Sequence, residues 1–278
     1  MQNTPIENMI LLYDKDCPLC RAYSKKFVQY GMLAPEGRIS FQEIDFNKFS
    51  YVNFAEAKNR VALVFPEQKK VQYGLDSIIT VLSNRFPLLK KIVRLSFVYY
   101  FLQMLYAFIS WNRKVFFASQ CSTNSVCNPS KNWTWRIALV IVCALIVNWS
   151  AGYYFTTFLH DYFKADVLYS DLIFFGVQIV WQYIVCLLLK ERNWYDYIAH
   201  LAIVSFLGAL LLFVFSILLS IASIYIDCAF LSILLYGFVF GFMFWEHHRR
   251  VKRAGLHYFL TYSWILIRIL MYPFAFKI

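Results

Sequence analysis

The chain has 278 residues, of which 60% are hydrophobic, 20% aromatic and only 15% charged, with a formal net charge of +11. Soluble domains carry roughly 25% charged and 45–50% apolar residues, so a soluble globule, a disordered chain and a small disulfide-stapled scaffold are all disfavoured. A mean hydropathy of +0.52 points to an integral membrane protein. Whether the basic excess means nucleic acid or a membrane surface depends on where it lies along the chain.

The first third mixes acids and bases as a soluble domain does, with Asp14, Asp16, Glu36, Glu43, Asp45, Glu56, Glu67 and Asp76 among them. Residues 9–13 (MILLY) are a short apolar run, as in a buried strand. Asp14-Lys15-Asp16 breaks that run, and a helical pattern follows from Cys17 to about Tyr30, with Gly31 placed as a C-terminal stop. Alternation over 39–44 predicts a second strand, followed by a short helix near 47–58. Residues 60–65 (RVALVF) and 71–74 predict two strands joined by the turn 66–70. A closing helix over 75–85 carries Ile78, Ile79 and Leu82 on its apolar face. A parallel βαβ unit completed by an antiparallel hairpin is the thioredoxin-like pattern.

Cys17-Pro18-Leu19-Cys20 stands after the first strand and opens the first helix. A thiolate there meets unpaired backbone N–H groups and the positive end of the helix dipole, which lowers its pKa. The three-residue offset places the second sulfur one turn later, within reach of a mixed disulfide. Pro18 suits the first turn, where its missing N–H costs nothing. Asp16, beside Cys17, acts against the thiolate. Asp14, at the end of the strand beneath, is a candidate to accept or return the resolving proton. The competing readings are half of a zinc site and incidental cysteines. Cys121 and Cys127 are the remaining close pair, but C-x-x-C with C-x5-C is a poor zinc spacing. They are instead a candidate second redox pair, and no metal is expected.

The run Tyr13-Asp14-Lys15-Asp16-Cys17-Pro18-Leu19-Cys20 resembles the signature of the DCC family of thiol-disulfide oxidoreductases, which usually reads Y-D-G-x-C-x-x-C. Asp14, Cys17 and Cys20 match, and Lys15 replaces the glycine. Tyr73-Gly74-Leu75-Asp76-Ser77 is similar to the helix entry after the family's hairpin. Residues 106–117 (YAFISWNRKVFF) resemble its tail, where a helix ends in an N-R pair before a further cysteine, for which Cys127 is the better match. The likeness covers roughly 9–127. It implies a thioredoxin-like fold and a disulfide reductase activity without a known substrate. No proline precedes 60–65, unlike the cis-proline with which thioredoxins hold peptides.

Beyond Arg136 the chain becomes long apolar stretches with charged edges. Spans are predicted at 135–158, 167–189, 195–219, 229–245 and 256–274, near the roughly 17–25 residues that cross a bilayer. Aromatics such as Trp133, Trp135, Trp194 and Trp245 cluster at their ends, as an interfacial belt does. With five spans and the N-terminus inside, Lys190, Arg192, Arg249, Arg250, Lys252 and Arg253 all lie inside. A sixth span at 95–112 would place Lys90, Lys91 and Arg94 outside, with a domain that no secretory signal precedes. Residues 95–112 are therefore expected as an interfacial or domain-covering helix, as the resemblance also implies. The net charge then belongs to a membrane surface and not to nucleic acid.

Inside the spans, Asp171, Gln178 and Gln182 are spaced to share one helical face. His200, Asn148, Asp227 and Arg268 are the other polar candidates, with interhelical hydrogen bonding as the bland alternative. Glu246-His247-His248 is read as an inner boundary, because adjacent histidines on a helix diverge by about 100°. Cys143, Cys186 and Cys228 are read as small apolar residues. The expected organisation is a thioredoxin-like domain at 1–118, a cysteine-bearing linker at 119–134 and an all-α membrane bundle of about five spans at 135–278. The expected activity is two-electron exchange by the Cys17/Cys20 dithiol with a disulfide-bearing protein or small thiol, on the cytoplasmic side of a bacterial inner membrane. The dithiol is itself the redox group, and nothing in the sequence supports a quinone. The alternatives are a transport or ligand-binding membrane domain with a redox-sensing N-terminal unit, and a scaffold with an inert dithiol. Substrate, electron partner and oligomeric state are not legible.

Overall fold

A computed structural model describes residues 9–45, 47–93, 95–118, 131–160, 170–224 and 228–275, the side chains of 170, 171 and 272–275 excepted. The chain divides into two compact units, Met1–Trp135 and Arg136–Ile278.

In the first unit, β1 (Ile10–Tyr13), β2 (Arg38–Ser40), β3 (Ala62–Phe65) and β4 (Lys70–Tyr73) form one mixed sheet in the order β2-β1-β3-β4. β1 runs parallel to β2 and antiparallel to β3, and β3 is antiparallel to β4. β1 and β3 are thus flanked on both sides, which is why each is apolar at nearly every position. Strand alternation then splits the core. Leu12, Ala62 and Val64 pack with Phe41, Ile44, Val52 and Ala57 on one face. Leu11, Val61 and Leu63 pack with Phe27, Leu33 and Val81 on the other. Fully burying one such leucine stabilises by roughly 1.5–3 kcal/mol.

Five helices complete the unit: α1 (Pro18–Gln29), α2 (Phe54–Asn59), α3 (Leu75–Arg85), α4 (Pro87–Val93) and α5 (Ser96–Phe117). α1 buries Cys20, Ser24 and Phe27, one stripe at helical spacing, and Gly31 ends it with φ +66. At Gly74, φ is +71 and ψ −135, and a Cβ would stand 3.3 Å from the Tyr106 ring. That conformation belongs almost solely to glycine, and it lets the hairpin turn directly into α3. Two predicted elements differ from the structure. The second strand ends at Ser40 and the chain then turns, and the helix expected at 47–58 begins only at Phe54, where Asn53 caps it through Glu56 N–H.

Residues 96–112 belong to α5, a continuous helix of 22 residues capped at Leu95 that packs on α1, α3 and α4. Its inner face carries Tyr99, Tyr106, Ser110 and Arg113, each hydrogen-bonded to the α/β fold. Tyr99 donates to Asp76, Val61 N–H donates to Tyr106 Oη, and Ser110 donates to the Asn59 carbonyl.

The second unit holds α6 (Trp133–Phe158), α7 (Ser170–Leu188), α8 (Trp194–Ala222), α9 (Ala229–Ala254) and α10 (Phe259–Ala275). Among the described residues, α6, α8 and α9 are long and apolar enough to cross a membrane, and α7 and α10 are shorter apolar helices. The expectation of five spans is therefore met in three. At α10 the reason is local: Gly255, at φ +66, ends α9, and the helix restarts only at Phe259. α8 packs most extensively on α9, where the Met243 thioether fills the space that a Cβ on Gly208 would need. Ser150 and Tyr154 donate to the carbonyls of Ala209 and Ser232, satisfying polar groups away from water.

Candidate functional site

The strand β1 ends at Tyr13, and the next residue, Asp14, accepts the Cys17 N–H at its carbonyl (3.2 Å). That tight turn aims Cys17 at the start of α1. Cys17 is its N-cap and Pro18 its first helical residue. The Cys17 sulfur accepts the Cys20 backbone N–H at 3.4 Å, so the helix terminus is capped by the thiol itself. Both sulfurs are reduced and buried, with Cys17 at 0% and Cys20 at 5% exposure. The dithiol is thus closed over in the reduced protein.

The two sulfurs differ strongly in acidity. Cys17 is lowered to about 7, first by a hydrogen bond from Cys20, then against burial, by the Cys20 N–H and the Arg113 guanidinium. The carboxylate that opposes it is Asp14. Cys20 is driven far above the usual thiol range by its bond to Cys17 and by burial. Tyr23, hydrogen-bonded to Cys20, is raised by burial and by that neighbour.

Arg113 is the group that the sequence reading passed over. It is 5% exposed, and its Nη2 donates to Asp14 Oδ2 at 3.2 Å and to the Lys58 carbonyl at 2.9 Å. Nη1 reaches the Asn59 carbonyl at 3.4 Å. Burial disfavours its charge, but Cys20, Asp14 and Cys17 hold its pKa above the ordinary arginine value. Its Nε–H is buried with no partner among the described residues. Asp14, 4% exposed, is equally committed: Oδ1 accepts the Asp16 N–H at 3.0 Å and Gln42 Nε2 at 2.8 Å. One signal for Arg113 was available, since Tyr106, Ser110 and Arg113 form a polar stripe at intervals of four and three along an apolar helix. Gln42 gave no such signal, lying in a turn without periodicity.

The chain entering β3 gives two carbonyls to Arg113 and its Val61 N–H to Tyr106. This is the stretch where no proline occurs, and its polar groups are occupied by α5. A cavity of about 510 Å³ lies elsewhere in the unit, lined by Gln72, Asp76, Thr80, Lys90 and Tyr99 among others. It includes none of the dithiol residues.

Cys121 and Cys127 lie outside the described residues, as do Asp227 and the side chain of Asp171. In the second unit, Gln178 and Gln182 do share a face and are buried. Arg268 donates to Gln178 at 2.9 Å. Gln182 accepts the Tyr197 hydroxyl at 2.7 Å and donates to Ser263 at 3.1 Å, and Tyr197 lies 3.0 Å from His247 Nε2. His200 Nδ1 meets Arg250 at 3.2 Å. At Glu246-His247-His248, near the basic end of α9, the structure adds packing detail. Glu246 is buried and ion-paired with Arg249 and Arg250, and His247 is buried and stacked on Trp264. No three metal-ligating side chains cluster among the described residues. Cys143, Cys186 and Cys228 are separate buried thiols.

A small mixed sheet with a helix-capping C-x-x-C at the end of its central strand is the arrangement of a thioredoxin-like dithiol protein. The particular kind follows from comparison with known families. Residues 11–119 match the model of the DCC1-like thiol-disulfide oxidoreductase family, so the N-terminal unit carries a DCC1-like domain. Three candidate membrane-spanning helices follow it. No curated protein and no solved structure matches the chain.

Proposed function

We propose that the protein is a membrane-anchored thiol-disulfide oxidoreductase whose Cys17/Cys20 dithiol reduces disulfides on the cytoplasmic side. The observation that carries this reading is the split acidity of the pair, with Cys17 near 7 and Cys20 far higher. The Cys17 thiolate attacks one sulfur of a substrate disulfide, forming a mixed disulfide and expelling the other sulfur as a thiolate. Cys20 then loses its proton and attacks the Cys17 sulfur, releasing the second substrate thiolate and leaving a Cys17–Cys20 disulfide. Two electrons have moved to the substrate, and a reduced thiol pool returns them. Asp14, bound by three N–H donors, suits the holding of Arg113 better than the carriage of the resolving proton. The free Nε–H of Arg113 is a donor for a thiolate that forms during opening.

Cys20→Ser is expected to accumulate a mixed disulfide at Cys17, and Cys17 to alkylate faster than Cys20. Equal alkylation at both sulfurs with ordinary thiol pKa values would remove the enzyme reading. For the side of the membrane, an impermeant maleimide on intact cells should leave Cys17 unlabelled until lysis, and labelling before lysis reverses the placement. A second reading, a transport or ligand-binding membrane unit sensed by the dithiol, is favoured by the buried Gln182–Tyr197–His247 network. Cys17→Ser would then leave ligand flux intact but deaf to redox state.

A further inference from the structure

Among the described residues between Ile10 and Ala118, every exposed large apolar side chain, Tyr30 excepted, falls within residues 86–117. The rest of the unit hides its apolar residues well, so this concentration is a property of one surface. Along α4, Leu88, Ile92 and then Leu95 recur at intervals of four and three, at 69%, 58% and 60% exposure. Along α5, Phe97, Phe101 and Met104 repeat the same spacing, at 83%, 58% and 47%. These are stripes on helical faces, one on each helix. Soluble monomers rarely leave so many large apolar side chains of one segment in water.

We propose that this outer face of α4 and α5 is a lipid-docking surface, through which the N-terminal unit rests in the headgroup region of a bilayer.

Three observations commit the occupant to lipid. Lys90 and Lys91 stand on α4 beside the apolar stripe, the cation-plus-aromatic composition that suits phosphate headgroups over acyl chains. The chain leaves α5 at Ala118 and enters α6, a 26-residue apolar helix, at Trp133. Fourteen intervening residues reach at most about 50 Å when fully extended, so this unit is tethered to a helix long and apolar enough to cross a bilayer. Finally, the opposite face of α5 is tied to the α/β fold through Tyr99, Tyr106, Ser110 and Arg113. A helix bound in that way cannot be surrounded by lipid, and α4 meets it at 97° rather than extending it into a straight span. Shallow insertion of one face, about 5–10 Å into the interface, satisfies both sides of the helix.

The arrangement gives α5 two functions. Its inner face carries the guanidinium that faces Asp14 and the dithiol, and its outer face fixes the unit on the membrane. Substrates of the dithiol are then met at the bilayer surface.

The test uses the full chain in phosphatidylcholine–phosphatidylglycerol nanodiscs. p-Azidophenylalanine replaces Phe97, Phe101 or, as a control, Tyr30, and carries an environment-sensitive fluorophore. Nitroxide lipids labelled at the headgroup, at carbon 5 or at carbon 12 of the acyl chain act as quenchers. The proposal expects blue-shifted emission at 97 and 101, at least twofold stronger quenching from headgroup or carbon 5 than from carbon 12, and none at 30. An unchanged pH midpoint for Cys17 alkylation shows that the labelled unit is intact. Strongest quenching from carbon 12 would make the α4–α5 pair a broken span and overturn the proposal. Absence of quenching at both 97 and 101 would also overturn it, leaving the face in water or against another protein.

Discussion

Replacing Arg113 with glutamine isolates the electrostatic part of the site. In the reduced protein Cys17 is lowered from the ordinary thiol value to about 7, a preference for the thiolate. The hydrogen bond from Cys20 contributes most, burial opposes it, and Arg113 supplies the favourable charge while Asp14 works against it. Arg113→Gln removes the favourable charge and keeps the opposing one. A partly screened charge pair at an effective dielectric of about 20 contributes on the order of 1.4 kcal/mol, which is about one pKa unit, so a rise of about that size is expected. At pH 7 the thiolate fraction then falls from about a half to about a tenth. The assay is iodoacetamide alkylation of the full chain across pH 5.5–10, with Cys17 followed by peptide mass. Because a buried carboxylate left alone costs about 3–5 kcal/mol, Arg113→Lys is the control. It keeps the charge but loses the fork that spans Asp14, Lys58 and Asn59. The lysine variant should hold the midpoint within about 0.3 units, a small fraction of the expected shift. If glutamine leaves the midpoint unchanged, or lysine raises it as far as glutamine does, the electrostatic assignment of Arg113 is wrong.

Stability of the reduced N-terminal unit should follow the dithiol. The folded pKa of Cys17 is depressed, so its contribution is complete above about 9, the unfolded value, and is lost as pH falls through about 7. Cys20 is raised, so its contribution is present below that unfolded value and lost above it. Protection of the β3 amides against hydrogen exchange, corrected for intrinsic rates, should therefore rise from pH 7 to about 9 and then fall; a flat profile would contradict the acidity split. Tyr106→Phe should leave Val61 N–H without its 3.0 Å acceptor and cost about 1–3 kcal/mol, read as faster exchange at Val61. Gly74→Ala should cost about 1–3 kcal/mol from its positive φ, with a lowered melting temperature that relief at Tyr106→Leu does not restore.

Most of the first unit was legible because its local signals agreed. The apolar run at β1, the C-x-x-C at a helix start and the hairpin at 62–73 each predict the element found, with boundaries moved by a few residues. Asp14, Cys17 and Cys20 are brought together as the spacing implied. The burial of Cys17 was not legible, since what covers a helix end is decided by long-range packing. Nor was the identity of the opposing carboxylate: Asp16 is nearer in sequence, but Asp14 is the one that bears on the sulfur. In the second unit, five apolar helices follow as expected, of which α6, α8 and α9 are, among the described residues, long and apolar enough to cross a membrane. The polar network there escaped notice because Tyr197 and Ser263 read as ordinary members of apolar helices until His247 and Gln182 meet them.

Helix α5 explains why hydropathy misled least where a second pattern was laid over it. Averaged along its length it is apolar enough to count, with α4, as a candidate span. Resolved by face, it is two stripes. One, through Tyr106, Ser110 and Arg113, ends in hydrogen bonds to the carbonyls that close α2, the Val61 amide and the Asp14 carboxylate. The other, through Phe97, Phe101 and Met104, is left exposed by the described residues. An average cannot distinguish a helix apolar all round from one whose two faces bury against different media, but period does. Arg113 is the residue that decides: an arginine this deep, with its charge opposed by Asp14 and two sulfurs, is stable only inside a folded polar site. Its position ties α5 to the dithiol and argues against a lipid-surrounded α5 on chemical grounds, independently of the charge bias along the chain.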